Sequence, residues 1–463
     1  MSAPVNDYTN AERYVNGLIM GPPSPAPGTP PEEIRARAIA RLARLRAFLE
    51  FLGNPQRQYE TVHVAGTSGK GSTCAFTASI LSGLGLRTGL HVSPYLQVAT
   101  EKLQIDGKLV DASRYARLVS DMTTSVEHWV ALGNERPNYG EFWVAMTYRY
   151  FAEELVDVAV IEVGAGGRFD VTNVIEPRVA AITSIGLDHV TTLGATLTEI
   201  AWHKAGIIKP GCVVVTAVSG ADAYPVIEAE CREQGVPLIS VRENEAFSDV
   251  DTDESGTSFE DAASARRMHV RLPGTFQASN AATALAIARA YCPVDPDPRL
   301  LTEGLASARF PGRMEIVQNR PTVILDGAHN PEKIQSLRNS LDLMFPKRRR
   351  ILVFGALEAK SYLEMFEIVS PGSRAVFVTE PRVLSKPATK ATAYASLGRL
   401  APIVIEPDPR RALEQALSLA GRDDLVIVTG SLYLVGNVRE RWFSVESILE
   451  QGTSWPVVID RAR

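Results

Sequence analysis

Two α/β units are what this sequence predicts: a larger N-terminal one on a mostly parallel sheet, and a smaller Rossmann-like one at the C-terminus. Three observations predict them. Short apolar runs alternate with stretches of helical spacing along most of the chain, the pattern of parallel strands joined by crossover helices. One such run, at residues 62–65, stops at a glycine-rich loop and passes directly into helix-compatible sequence. The alternation breaks around Phe310-Pro311-Gly312 and then resumes, which divides the chain into residues 1–308 and 309–463. A length of 463 residues is itself more than one ordinary domain accommodates.

Taken in order, residues 21–31, GPPSPAPGTPP, read as a proline-rich connector outside regular structure. From 32 to 52, Ile39, Leu42, Leu45, Leu49 and Leu52 recur at three-to-four spacing with arginines between them, an amphipathic helix stopped by Gly53 and Pro55. Those arginines are a solvated face or an attraction for an anionic substrate. A strand and the glycine loop follow, then a second strand at 87–92 that runs into Ser93-Pro94-Tyr95. Residues 111–134 and 141–155 have helical character. The run DVAVIEV at 157–163 is that of a strand buried on both faces, with Glu162 as its one exception. Another strand at 179–185 leads into Gly186-Leu187-Asp188-His189, and runs at 212–217 and 237–241 continue the alternation. Residues 243–262 are acidic and polar, an exposed loop or hairpin insertion. LPGTFQASN at 272–280 opens an alanine-rich helix over 281–291, which PVDPDPR at 293–299 interrupts. Beyond the break, strands at 322–326, 350–355, 374–379, 402–405 and 424–429 alternate with helical stretches. No repeat of solenoid period occurs.

Composition bounds the function classes. Hydrophobic residues at 45% and charged residues at 22% are those of a globular protein. A net charge of −5 gives nucleic acid no basis as a partner, and no apolar run has the length of a membrane span. The first residues lack the basic and apolar regions of a signal peptide. Cys74, Cys212, Cys231 and Cys292 have no metal-ligand spacing and read as free thiols, so a cytoplasmic location is expected.

The chemistry concentrates first at residues 63–73, HVAGTSGKGST. Strand, glycine loop and helix together cradle phosphates. Backbone N–H groups line the loop, the helix N-terminus adds partial positive charge, and Lys70 supplies a full one. The match to a Walker A loop is imperfect, because Val64 stands where a glycine is usual and Gly71 where Ser or Thr normally follows the lysine. Glu162 is the kind of strand-end carboxylate at which nucleotide enzymes hold Mg²⁺, and the glycines of the following EVGAGGRFDVTN allow close backbone approach to a ligand. Ser93 and His189 end neighbouring strands, and open α/β sheets bind ligands at that carboxyl edge. Read alone, His189 is a structural histidine or a ligand, and Lys204 in AWHKAGIIKPG a surface lysine.

The spelling HVAGTSGKGST resembles the ATP loop of the muramyl-ligase superfamily, and within it the folylpolyglutamate and dihydrofolate synthases, which usually carry Asn where Ser68 stands. GLDH at 186–189, LGATLTEIAWHKAGIIKPG, LPGTFQASNAATA, FPGRMEIV, ILDGAHNP and VTGSLYLVG are similar to further family segments, so the resemblance covers nearly the whole chain. It implies an N-terminal P-loop ATPase domain, a C-terminal glutamate ligase domain, and an ATP-dependent, ADP-forming ligase that adds L-glutamate to dihydropteroate or reduced folates. ATP and Mg²⁺ are the implied cofactors, with no membrane or nucleic-acid partner and a monomeric state. Carried over by residue, it makes Gly66, Thr67, Ser68, Gly69, Lys70, Gly71, Ser72, Thr73, Asn280, Arg313 and Asp326 ATP-binding. It makes Ser93, Glu162, His189 and a carbamylated Lys204 magnesium ligands. Lys70, Glu162, His189 and Lys204 become the catalytic set, and Tyr95, His329 and Ser431 bind substrate. The chain departs from the family at Tyr95, where His is frequent, at His203 beside the special lysine, at Gly140, and at Glu358-Ala359-Lys360. Two alternatives are a cell-wall peptide ligase of the same superfamily and a nucleotide-driven switch. The FPGRMEI and LDGAHNP blocks favour the folate branch, and the second α/β unit counts against a switch.

Overall fold

A computed structural model of the chain describes residues 3–19, 29–384 and 386–451. Eight strands form the first sheet: β1 (Glu60–Ala65), β2 (Thr88–His91), β3 (Gln104–Ile105), β4 (Lys108–Leu109), β5 (Val158–Glu162), β6 (Val179–Ile182), β7 (Val213–Thr216) and β8 (Leu238–Ser240). They lie in the order β4-β3-β2-β5-β1-β6-β7-β8. The six strands from β2 to β8 in that order run parallel, and the short β3–β4 hairpin adds an antiparallel edge. β1 and β5 lie at the centre. β5 is buried at every position, and only the first residue of β1 is exposed, as their near-continuous apolar sequence requires. The helices Lys70–Gly83 and Phe276–Tyr291 close one face over Val62, Val64, Val158 and Val160. The helices Ala112–Ala131 and Tyr139–Glu153 close the other over Ala159 and Ile161.

The acidic stretch is a hairpin, β9 (Phe247–Asp253) and β10 (Gly256–Asp261), as one of the two sequence readings has it. It is not wholly exposed. β11 (Arg266–Val270) extends it to an antiparallel sheet, and Phe247, Phe259 and Met268 turn inward to the core. β11 escapes a sequence reading because RRMHV has only two buried positions.

The third sheet comprises β12 (Glu315–Asn319), β13 (Thr322–Leu325), β14 (Arg350–Phe354), β15 (Ser373–Val378), β16 (Ile403–Ile405) and β17 (Leu425–Thr429), ordered β12-β13-β17-β14-β15-β16. Five strands run parallel, and β12 is an antiparallel edge whose half-polar sequence gave no strand signal. The helix Pro298–Ser307 begins inside the segment read as a break. Asp297 caps it by accepting from Arg299 N, and Pro298 fits the first helical position, where no N–H is needed. The helix Ala3–Gly17 has no counterpart in the sequence reading. Most of the proline-rich connector lies outside the described residues, and its last member, Pro31, already starts the helix Pro31–Phe51.

The two larger sheets are joined by one apolar cluster that runs from Leu96 and Val98 to Leu432, Leu434 and Val435. Beside it Arg439, 1% exposed, pairs with Glu315 at 2.8 Å and reaches Gln97 at 2.5 Å. The rigid donor fork of that guanidinium ties the segment at Gln97 to the smaller unit.

Candidate active site

The carboxyl ends of β2, β5, β1 and β6 open into one pocket, and the far wall of that pocket belongs to the smaller unit. Lys70 is the first residue of its helix, with Gly69 as cap in the left-handed conformation (φ 83°). Its ammonium donates to Gly66 O at 3.0 Å. The loop is stitched to the exit of β6: Thr67 N donates to Ser184 O at 2.9 Å, Ser68 N to Ser184 Oγ at 2.8 Å, and Thr183 Oγ1 to Ser68 O at 2.6 Å. A loop held this way presents its remaining N–H groups without first having to order itself.

All three glycines of the loop have their side-chain space taken by other segments, at Gly66 by Thr183 Oγ1, 1.9 Å from where a Cβ would lie. A Cβ at Gly69 would lie 2.2 Å from Asn280 Oδ1, so the LPGTFQASN block docks directly on the turn. A Cβ at Gly71 would lie 2.7 Å from the Phe310 ring. The departure from the Walker pattern thus has a steric cause: the ring from the FPGR block fills the place of the usual Ser or Thr side chain.

Glu162 is 6% exposed and accepts Ser93 N at 2.9 Å on Oε2. Burial pushes its carboxyl up, opposed by Lys70, the Ser93 N–H, Arg313 and Lys333. Lys204, 3% exposed in the helix Leu197–Ala205, lines the same pocket. Burial, and then the charge of Lys70, hold its amine well below the ordinary lysine range. His189 is a left-handed helix cap (φ 52°) with its side chain half exposed, and burial lowers its imidazole to about 4 despite nearby Asp188.

The opposite wall carries the FPGR and LDGAHNP blocks. Asp326 accepts Met314 N at 2.9 Å and Ala328 N at 2.8 Å, which fixes the turn that displays His329. Burial raises the Asp326 carboxyl, and the same burial lowers the Arg313 guanidinium, each partly offset by the other. An ion pair bridges the walls: Lys360 Nζ lies 2.7 Å from Asp188 Oδ1. Burial works against the Asp188 charge, but Lys360 and His189 outweigh it and hold the carboxyl well below its usual range.

Of the residues singled out from sequence, Gly66 to Ser72, Ser93, Glu162, His189, Lys204, Asn280, Arg313, Asp326 and His329 line this pocket. Thr73, Tyr95 and Ser431 do not. Thr73 is wholly buried one turn into its helix, and Tyr95 donates its hydroxyl to Glu12 at 3.3 Å. Ser431 is a buried helix cap whose Oγ accepts Tyr433 N at 3.2 Å. Sequence reasoning missed Asp188 as the bridging acid and Lys333. Asp188 had a signal in its place beside His189, whereas Lys333 had none.

Two family models match the chain: the Mur ligase middle domain over residues 64–288, and the Mur ligase, glutamate ligase domain over residues 312–432. The fold is therefore that of a Mur-type ligase. The dihydrofolate synthase/folylpolyglutamate synthase of Bacillus subtilis (strain 168) is 34% identical over 411 residues, 86% of this chain and 94% of that one. The enzyme of the same description from Mycobacterium tuberculosis (strain ATCC 25618 / H37Rv) is 32% identical, over 86% of this chain and 89% of that one. Among solved structures, the Mycobacterium tuberculosis folylpolyglutamate synthase complexed with ADP superposes with a TM-score of 0.83 at 28% identity, over 95% of this chain and 99% of that one. A structure described as an FPGS–AMPPCP–folate complex gives 0.75 at 30% identity, over 94% and 99%. The chain belongs to the folylpolyglutamate synthase/dihydrofolate synthase family.

Proposed function

We propose that this chain is an ATP-dependent, ADP-forming ligase that joins L-glutamate to dihydropteroate, to a reduced folate, or to both. The observation that carries the reading is the single pocket in which the glycine loop with Lys70, the carboxylate of Glu162 and the buried Lys204 face Arg313 and His329. Relatives named as dihydrofolate and folylpolyglutamate synthases support the acceptor class, and structures bound to ADP or AMPPCP support the nucleotide.

A carboxylate is a poor electrophile at neutral pH. In the reaction an oxygen of the acceptor carboxylate attacks the γ-phosphorus of ATP, the bond to the β–γ bridging oxygen breaks, and ADP leaves. Lys70 and the loop N–H groups offset the charge spreading over the transferred group. The amine of glutamate then attacks the acyl carbon, a tetrahedral adduct forms, and phosphate departs as the amine loses a proton. The two walls suit this order of events, since closure excludes the water that would hydrolyse an acyl phosphate.

The residues present fit Mg²⁺. Glu162 is a buried carboxylate without an ion pair among the described residues; it accepts from Ser93 N and lines the same pocket as His189. Magnesium characteristically takes one or two carboxylates and completes its shell with water and phosphates. Ser93, Glu162 and His189 would hold it, and there it would neutralise phosphate charge. Lys204 joins them on carbamylation, in which its neutral amine adds to carbon dioxide and loses a proton. Burial that disfavours the ammonium supports this, because only the free amine reacts.

In this reading residues 1–308 are the ATP-binding domain and 309–463 the glutamate ligase domain, supported by the gap between β11, ending at Val270, and β12, starting at Glu315. Both walls come from one chain, so a monomer suffices, and four free cysteines suit the cytoplasm. The reading is tested by ADP release with dihydropteroate and tetrahydrofolate supplied separately, each with and without glutamate. Turnover that needs neither acceptor nor glutamate would overturn it.

A further inference from the structure

Lys333 lies in the first turn of the helix Pro331–Met344, the end where aligned peptide dipoles disfavour a cation. Among the described residues its ammonium makes one hydrogen bond, donated to His329 Nε2 at 3.1 Å. The tautomer follows from the other ring nitrogen. Nδ1 lies 2.8 Å from Gly327 O, which only accepts, so Nδ1 carries the proton and Nε2 accepts from Lys333. Burial pulls the Lys333 amine down to about 7, and Lys70, Lys360 and Arg313 press the same way, with Asp188 opposing. Helix end, burial and three cations all work against this charge. A multiply charged anion between the walls would relieve all of them together.

We propose that Lys333 is a second catalytic lysine, which reaches from the smaller unit to the transferred phosphoryl group and faces Lys70 across the cleft. The inference rests on reading the pocket as a phosphoryl-transfer centre. Lys70 and Lys333 line the same pocket, and on the Lys70 side that pocket is the phosphate cradle; the charge of Lys70 also disfavours the Lys333 ammonium. His329 holds the ammonium in place through a bond that consumes none of its positive charge. The arrangement also makes catalysis conditional on domain closure, because Lys70 and Lys333 sit on opposite walls.

The test compares Lys333→Met, Lys333→Arg and Lys70→Ala with the wild-type chain. Acyl phosphate formed from ATP and acceptor, without glutamate, is trapped with hydroxylamine, and KM for glutamate is measured separately. Lys333→Met should lower acyl-phosphate formation roughly 100-fold, the loss typical of one charge-stabilising donor, with KM for glutamate unchanged, and Lys333→Arg should retain a measurable part. Lys333→Met should also raise the melting temperature of the nucleotide-free protein, since it removes an unfavourable buried cation. A merely structural lysine would lower it. Wild-type acyl-phosphate formation by Lys333→Met, or a defect confined to KM for glutamate, would overturn the proposal. If Lys70→Ala is inactive while Lys333→Met is not, this inference alone fails. If both are active, the phosphoryl-transfer reading fails with it.

Discussion

The two walls of the cleft are built on different physical plans. The wall made by the first sheet is local: residues 66 to 72 are consecutive, their backbone is tied to the end of β6, and one lysine serves the whole loop. The wall made by the smaller unit draws its charges from three separate segments, with Arg313, Lys333 and Lys360, and part of that charge is poorly balanced within the protein. The first wall is a preformed cradle. The second is a set of cations that gains from an anionic ligand and from contact with the first wall. The difference teaches that affinity for phosphate and readiness to close need not come from the same residues.

Removing the lysine of the glycine loop is the most direct way to break the comparison. Lys70→Ala should reduce ligase activity at least about 1,000-fold while leaving circular dichroism and melting behaviour near wild type, because loop residues carry little core. Near-normal turnover in that variant would show that the loop does not hold the phosphates.

Lys204 tests whether the first wall also depends on a modified side chain. Lys204→Ala should be nearly inactive, with partial recovery in small carboxylic acids that fill the vacated space. Lys204→Arg should gain nothing, since a retained cation still repels a metal. Recovery by arginine would argue that positive charge, not an anionic carbamate, is what the site uses.

Glu162→Gln keeps the shape of the cradle and removes its carboxylate. The expected outcome is a roughly 100-fold loss of rate together with a shifted magnesium titration. An unchanged titration would remove Glu162 from the metal site.

The steric link between the walls is sharpened at Gly71. Gly71→Ser restores the Walker spelling but puts Cβ 2.7 Å from the Phe310 ring, so it should destabilise by about 1–3 kcal/mol. Adding Phe310→Ala should recover much of that loss in a double-mutant cycle. Strictly additive effects would mean that the ring is not what excludes the side chain.

The smallest effect is expected at the bridge between walls. Lys360→Met removes the 2.7 Å contact with Asp188 and should weaken ATP affinity several-fold with modest change in kcat, the mark of a closure contact rather than a reacting group. A loss of kcat as deep as that of Lys70→Ala would place Lys360 in the chemistry instead.

Sequence by itself determined whatever depends on neighbours along the chain. The alternation of buried strands and helices, the glycine loop with Lys70, and Glu162 as the acid ending an apolar strand are patterns of spacing within a few residues. The parallel sheet then converts them into a site by bringing four strand ends together. Tertiary structure decided everything that depends on residues remote in the chain. It placed Phe310 against Gly71, joined Asp188 to Lys360, and set Lys333 in one pocket with Lys70. It also turned Thr73 into the core and made Ser431 a helix cap, although both stand in segments that match the family. The reason is physical. Periodicity reports which face of an element is buried, whereas a charge or a ring acts on whatever the fold brings within a few ångströms, and no local pattern records that partner.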